Sequence, residues 1–238
     1  MSDQPNMIVL AVMRFNTISD GIFSRLLNNC TVDEQKSILN YKQRNDQLRS
    51  LFAILQIKYC FKKYIDFEKE IMIQKDNYGN PKVVGWVGDI SISHSTDWIF
   101  TGISNTGRIG VDIECLNPFP LIKGSEVLFL SEKELILFQK IQNLEESRNY
   151  LLSLWTLKEA YLKEVGTGLT QVNPTSLSFD YTPQNKRDDF YNGDSLLNTY
   201  DIDGVAKAAV STSSIYCPST SFYKHDQQSM LTEILYSE

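Results

Sequence analysis

The sequence predicts an α+β fold built as two similar halves. Three observations carry that prediction: an order of strand, helices and short strands that occurs twice, capping boxes that open helices after Thr31 and Ser131, and an ordinary globular composition. With 238 residues, 42% hydrophobic and 22% charged, the chain can bury about 70% of the surface its unfolded form exposes. Disorder, collagen and coiled coil are excluded. No convincing sequence repeat links the two halves, so the likeness lies in the pattern of elements.

Ile8 to Phe15 is apolar enough for a first strand. In Thr31-Val-Asp-Glu34 the Thr and Glu side chains can each satisfy an orphan backbone N–H, so a helix starts there. Leu48, Leu51, Leu55 and Tyr59 recur at three- and four-residue spacing, with Phe61 beside them, and predict a long helix from about Asn45 to Tyr64. Short strands follow at Ile71 to Gln74, Asp89 to Ser93, Trp98 to Ser104 and Ile109 to Ile113. Turns at Tyr78-Gly-Asn-Pro81 and Asn105-Thr-Gly107 punctuate them, and the group reads as a small meander. A stretch containing Pro118 and Pro120 interrupts the pattern, which divides the chain into 1–114 and 115–238.

In the second half Ser131-Glu-Lys-Glu134 opens another helix. Leu151, Leu154, Trp155, Leu157, Tyr161 and Leu162 give a broadly buried one that ends at Gly166, a residue suited to a left-handed cap. Strands are expected at about Leu177 to Tyr181, Leu197 to Ile202 and Val205 to Thr212, with a polar loop over residues 182–195.

Lys and Arg number 23 against 29 Asp and Glu, a net charge of −6. The molecule as a whole repels nucleic acid and anionic lipid, so any anion site must be local. One local asymmetry stands out. From Lys36 to Lys63, seven basic residues (Lys36, Lys42, Arg44, Arg49, Lys58, Lys62, Lys63) face one acid, Asp46. They are either a solvated helix face or, at Arg44 and Arg49 near a helix start, a phosphate site. No apolar run approaches a membrane span and the N-terminus lacks the form of a signal peptide, which places the chain in the cytoplasm. Cys30, Cys60, Cys115 and Cys217 lie far apart and read as free thiols. A divalent metal would therefore be held by carboxylates, as magnesium or calcium is.

Gly110-Val-Asp-Ile-Glu114 is the sharpest local feature. Period-2 geometry puts Asp112 and Glu114 on one strand face, where a magnesium ion would hold both ionised; an exposed strand face is the plainer alternative. Glu159 and Lys163 share a helix face beside Trp155, a spacing that also suits a solvent-facing ion pair. His94, one of two histidines, ends an alternating strand and is expected at a strand edge. Neither a zinc site nor a hydrolase triad forms around it, and a phosphate hydrogen bond is the better functional reading.

Together, Ser91-Ile-Ser-His94-Ser, Gly110-Val-Asp-Ile-Glu114 and Trp155-Thr-Leu-Lys-Glu-Ala-Tyr-Leu-Lys163 resemble the phosphopantetheinyl transferase superfamily, in its long two-lobed branch typified by the surfactin synthetase activator. Arg44 to Leu51, Tyr78-Gly-Asn-Pro81 and Gly166-Thr-Gly-Leu169 match further motifs of that family. The resemblance implies two similar lobes related by a pseudo-twofold, each a small antiparallel sheet with packed helices, with coenzyme A in the cleft between them. It implies a magnesium-dependent enzyme that transfers the 4′-phosphopantetheine arm of coenzyme A to a serine of an apo acyl or peptidyl carrier protein, releasing adenosine 3′,5′-bisphosphate.

By position, Asp112, Glu114 and Glu159 would hold the Mg2+ ion, and Glu159 would take the serine proton directly or through water. Lys163 would neutralise the transferring phosphoryl group. Arg49, Ser50 and His94 would meet the nucleotide's phosphates, with Asn80, Pro81 and Ser93 near the adenosine and pyrophosphate. The carrier would dock near Gly166 to Leu169, and the protein would act as a monomer. Two departures stand out: Asn80 replaces the lysine of the family's Gly-Lys-Pro turn, and Glu34 and Ser37 stand where basic residues are expected. They leave open a non-catalytic coenzyme A or carrier-binding protein. Another magnesium enzyme acting on nucleotides, and a purely structural protein, are the remaining alternatives.

Overall fold

The computed structural model describes residues 6–76, 79–117, 124–167, 171–182, 190–213 and 219–236. Its strands are β1 (Met7–Arg14), β2 (Ile73–Lys75), β3 (Pro81–Val83), β4 (Asp89–Ser95), β5 (Trp98–Ser104), β6 (Ile109–Cys115), β7 (Phe190–Asn192), β8 (Ser195–Ile202), β9 (Ala206–Thr212) and β10 (Ser219–His225). The helices are α1 (Asp20–Leu27), α2 (Val32–Leu39), α3 (Arg44–Tyr64), α4 (Glu132–Phe138), α5 (Leu144–Val165) and α6 (Gln227–Tyr236). The class is α+β, as expected, with the elements gathered into two units.

The first unit takes Met1–Thr106 and Pro218–Glu238. Its sheet has the order β10-β1-β5-β4. β1 is apolar on both faces and buried from Ile8 to Met13, which suits an interior strand. It pairs antiparallel with β5 and parallel with β10, so this sheet is antiparallel except at that edge. Helix α3 lies along one face. Its first half packs Leu51, Phe52 and Leu55 with Met13 and Ile99, and its second half packs Ile57, Cys60 and Phe61 with Val9, Ala11 and Ile103. The expected stripe of Leu48, Leu51, Leu55 and Phe61 is buried, while Tyr59 is half-buried.

The second unit, Gly107–Cys217, holds an antiparallel sheet of order β6-β9-β8-β7. α5 covers it, with Leu154, Leu157 and Ala160 against Leu197 and Ala209. Asn143 caps its start by accepting from the Glu145 and Glu146 amides. Gly166 ends it at φ 80°, in the left-handed region.

Several expectations change. The meander is real only for β4 and β5; β6 leaves them to pair with β9. With that pairing β6 lies in the unit that begins at Gly107, and β10 returns the C-terminal segment to the first unit. Leu177 to Tyr181 is not a strand, because side chains take its backbone groups: Phe179 N–H donates to Glu134 (2.9 Å) and the Leu177 carbonyl accepts from Lys158 (3.0 Å). Helices α1 and α6 and strands β3, β7 and β10 lie outside the sequence expectation. Tyr78, Pro118, Pro120, Leu169, Cys217 and residues 183–189 lie outside the described residues.

Candidate active site

The site is built where β6 meets α5, and Gly110 sets their distance. A Cβ at Gly110 would overlap the carbonyl oxygen of Ala160 and the amide nitrogen of Glu164, so strand and helix backbones touch there. This close approach brings the carboxylates of β6 to the face of α5 that carries Glu159 and Lys163. Asp112 is buried and Glu114 half-buried, while Val111 and Ile113 are fully buried on the opposite side.

Lys163 bridges the two elements. Its Nζ donates to Asp112 Oδ1 (2.8 Å) and to the Val111 carbonyl (3.1 Å). Glu159 Oε1 is buried with no hydrogen-bond partner among the described residues. Burial, with the neighbouring charges of Asp112 and Glu114, pushes the Glu159 carboxyl above its ordinary range, and Lys163 offsets part of that rise. The sequence grouping of Asp112, Glu114, Glu159 and Lys163 is thus a spatial grouping within one unit.

Among the described residues, no group of three or more His, Cys, Asp or Glu side chains is drawn together as a closed metal site. The donor chemistry nevertheless fits a hard cation. Asp112 and Glu114 lie near enough to act on the Glu159 charge, and a buried, partnerless carboxylate oxygen on Glu159 is the kind of atom a cation satisfies.

The residues singled out in the first unit fall into two sets. Ser50, Pro81 and His94 line one cavity of about 820 Å³. His94 is exposed on β4, an edge strand, as anticipated, and Ser93 is buried beside it. Arg49 and Asn80 are not among the residues lining this cavity. Arg49 donates to the Thr96 carbonyl (2.7 Å) and to Asp46 (2.6 Å). Asn80 closes its turn on Asp76, through its backbone N–H (2.9 Å) and its side-chain amide (3.3 Å). Arg44 is held by Asp20 (2.7 Å) over the Phe23 ring. Thr167 ends the described stretch after α5, so Leu169, the expected carrier contact, cannot be placed.

Sequence reasoning missed what four residues do, reading Glu134 only as a helix cap and Gly110 only as part of a motif. Lys158 is fully buried and donates to Glu134 (2.6 Å) and to the carbonyls of Phe129 (2.5 Å), Pro174 (3.0 Å) and Leu177 (3.0 Å). Its partner Glu134 also accepts from the Ser131 and Phe179 amides. Glu164, buried, accepts from Ser211 Oγ (2.8 Å). Gly110 is the fourth. Its place in a buried strand facing a helix was the available signal, since a glycine there marks a close backbone approach.

Residues 108–204, which contain all four site residues of β6 and α5, match the 4′-phosphopantetheinyl transferase superfamily, ACPS. The chain is 32% identical over 155 residues to the 4′-phosphopantetheinyl transferase gsp of Aneurinibacillus migulanus, covering 65% of this chain and 63% of that protein. To the 4′-phosphopantetheinyl transferase ffp of Bacillus subtilis it is 27% identical, covering 61% and 64%. A further 4′-phosphopantetheinyl transferase of Bacillus subtilis is 24% identical over 86% of this chain and 91% of its own length. The matched region thus spans a little under two thirds of each of the first two relatives. Over its β6–α5 region the chain is thus similar to the 4′-phosphopantetheinyl transferase superfamily.

Proposed function

We propose that this protein transfers the 4′-phosphopantetheine arm of coenzyme A to a serine hydroxyl of an apo acyl or peptidyl carrier protein, as a magnesium-dependent cytoplasmic monomer. The observation that carries this reading is the convergence of Asp112, Glu114, Glu159 and Lys163 across the β6–α5 contact.

Asp112, Glu114 and Glu159 would hold Mg2+, which when bound supplies positive charge against the pyrophosphate. Glu159 is buried beside two other carboxylates. It accepts the serine proton, directly or through a water, as the serine oxygen bonds to the phosphorus bearing the pantetheine arm. The bond from that phosphorus to the bridging oxygen breaks, and adenosine 3′,5′-bisphosphate leaves with the electron pair. Lys163 spends two of its three protons on Asp112 and Val111 and directs the third at a phosphoryl oxygen. Ser50, Pro81 and His94 line the cavity that would take the nucleotide end.

Intact mass of an apo carrier protein, incubated with this protein and coenzyme A, tests the reading. A gain of one phosphopantetheine with magnesium, and none with a chelator, is expected. Asp112→Ala and Glu159→Ala should each lower the rate by at least about 100-fold while circular dichroism is unchanged. Near-normal transfer in either variant would refute the site. No gain over several fatty acid and peptide carriers, with coenzyme A still bound, would favour the non-catalytic binder.

A further inference from the structure

The roll of α5 about its own axis sets the angle at which Glu159 and Lys163 meet β6. Gly110 fixes how closely the helix approaches the strand, but a contact between bare backbones does not stop the helix from turning in place. Two polar contacts oppose such a turn. Lys163 reaches β6 at Asp112 (2.8 Å), and the next residue, Glu164, accepts from Ser211 Oγ on β9 (2.8 Å). Consecutive helix residues point about 100° apart, so the two contacts hold α5 to different strands from different directions.

The ladder between β6 and β9 places the second contact. Gly110 lies opposite Ser211, and Asp112 opposite Ala209. Residues directly opposite share a face, and Ala209 packs against Leu157 and Ala160 of α5, so these four positions form the floor beneath the helix. Ser211 therefore stands beside the closest strand–helix approach, where the Glu164 amide itself meets Gly110. Stability alone does not call for a carboxylate here. Glu164 is 3% exposed and Ser211 is fully buried, and a buried carboxylate facing a neutral hydroxyl is costlier than a well-packed apolar pair.

Resting on the proposed function, we propose that Glu164 is a positioning residue: through Ser211 it locks the roll of α5 and so holds Glu159 and Lys163 at Asp112 for the transfer step. A roll of about 15° would carry a side-chain tip by about 1.5 Å, and a misplacement of about 1 Å costs on the order of 100-fold in rate.

The test separates positioning from stability. Glu164→Leu combined with Ser211→Ala removes both hydrogen-bond partners at once, a change that is nearly neutral for folding. The urea midpoint of this double variant should match that of the natural protein, while kcat for carrier modification falls at least about ten-fold and KM for the carrier stays within about two-fold. Glu164→Gln keeps an acceptor for Ser211 Oγ and should retain at least about a third of the natural kcat. A natural kcat in the folded double variant would overturn the inference and leave the transferase reading standing. If that variant does not fold, Ser211→Ala alone decides: the same fall in kcat is expected, and an unchanged kcat overturns the lock. A loss in Glu164→Gln as deep as that in the double variant would overturn it too, since charge rather than the hydrogen bond would then be at work. Absence of transfer by the natural protein would instead remove the reading on which the inference rests, and the inference with it.

Discussion

The two units carry the same local device and put it to different uses. In the first, the Thr31 capping box places Glu34 against Lys58 of the long helix α3, and Glu34 also accepts from Ile73 N–H. In the second, the Ser131 box places Glu134 against Lys158 of α5, and Glu134 also accepts from Phe179 N–H. Each lysine also donates to a backbone carbonyl shortly before the box, that of Asn29 or Phe129. The residues after each lysine diverge. Tyr59 and Lys63 bind Glu233 of α6 (3.0 and 2.6 Å), whereas Glu159 and Lys163 lie at Asp112. One copy fastens a terminal helix; the other sets a carboxylate and an ammonium beside Asp112.

The largest expected effect separates the two lysines. The side chains of Lys158 and Glu134 are each 1% exposed, while Lys58 is 16% exposed. Lys158→Met would strand a buried carboxylate and three carbonyls, at about 3–5 kcal/mol. Lys58→Met should cost about 1–3 kcal/mol, since water can reach Glu34's lost partner. Urea unfolding of both variants measures the difference; equal losses would break the comparison.

Next in size is Gly110→Ala. Its Cβ meets the backbone of α5 rather than a side chain that could turn away, so strand and helix must part. A loss of about 1–3 kcal/mol is expected, with a fall in the transfer rate of Gly110→Ala beyond the loss of folded protein, because Asp112 and Glu159 separate. Normal kcat in the folded variant would show that the contact does not position the site.

Much of this contrast was legible in the sequence. Both capping boxes were, because a Thr or Ser three residues before a Glu satisfies two backbone N–H groups locally. So was the pairing of Asp112 and Glu114 with Glu159 and Lys163, through strand and helix periodicity together with family motifs. What the buried glutamates do next was not legible, since Lys58 and Lys158 are remote in sequence from the carbonyls and carboxylates they meet. The strand expected at Leu177 to Tyr181 failed for the same reason: its hydrogen bonds go to Lys158 and Glu134. β10 was missed because its pairing partner, β1, lies at the other end of the chain.

The smallest effect tests the fastening copy through His225. Its ring lies edge-on to Tyr59 (5.0 Å between centroids) and stacks on Tyr64 (6.0 Å), with Nε2 3.2 Å from the Tyr64 hydroxyl. Nδ1 is buried without a partner among the described residues. Burial lowers the pKa below its ordinary 6.5, against an opposing pull from Glu233. The unfolded chain therefore takes up this proton more readily than the folded one. The stability that neutral His225 contributes is complete above about pH 6.5 and is lost as pH falls from there toward the folded pKa, at no more than about 1.4 kcal/mol per pH unit. His225→Phe should flatten that part of the profile. In the natural protein hydrogen exchange should quicken in α6 before α5, since only the first unit uses this histidine to back the Tyr59–Glu233 link. Parallel pH profiles for the two proteins would mean that the imidazole titrates as if in water, and the fastening would then rest on Lys63 and Tyr59 alone.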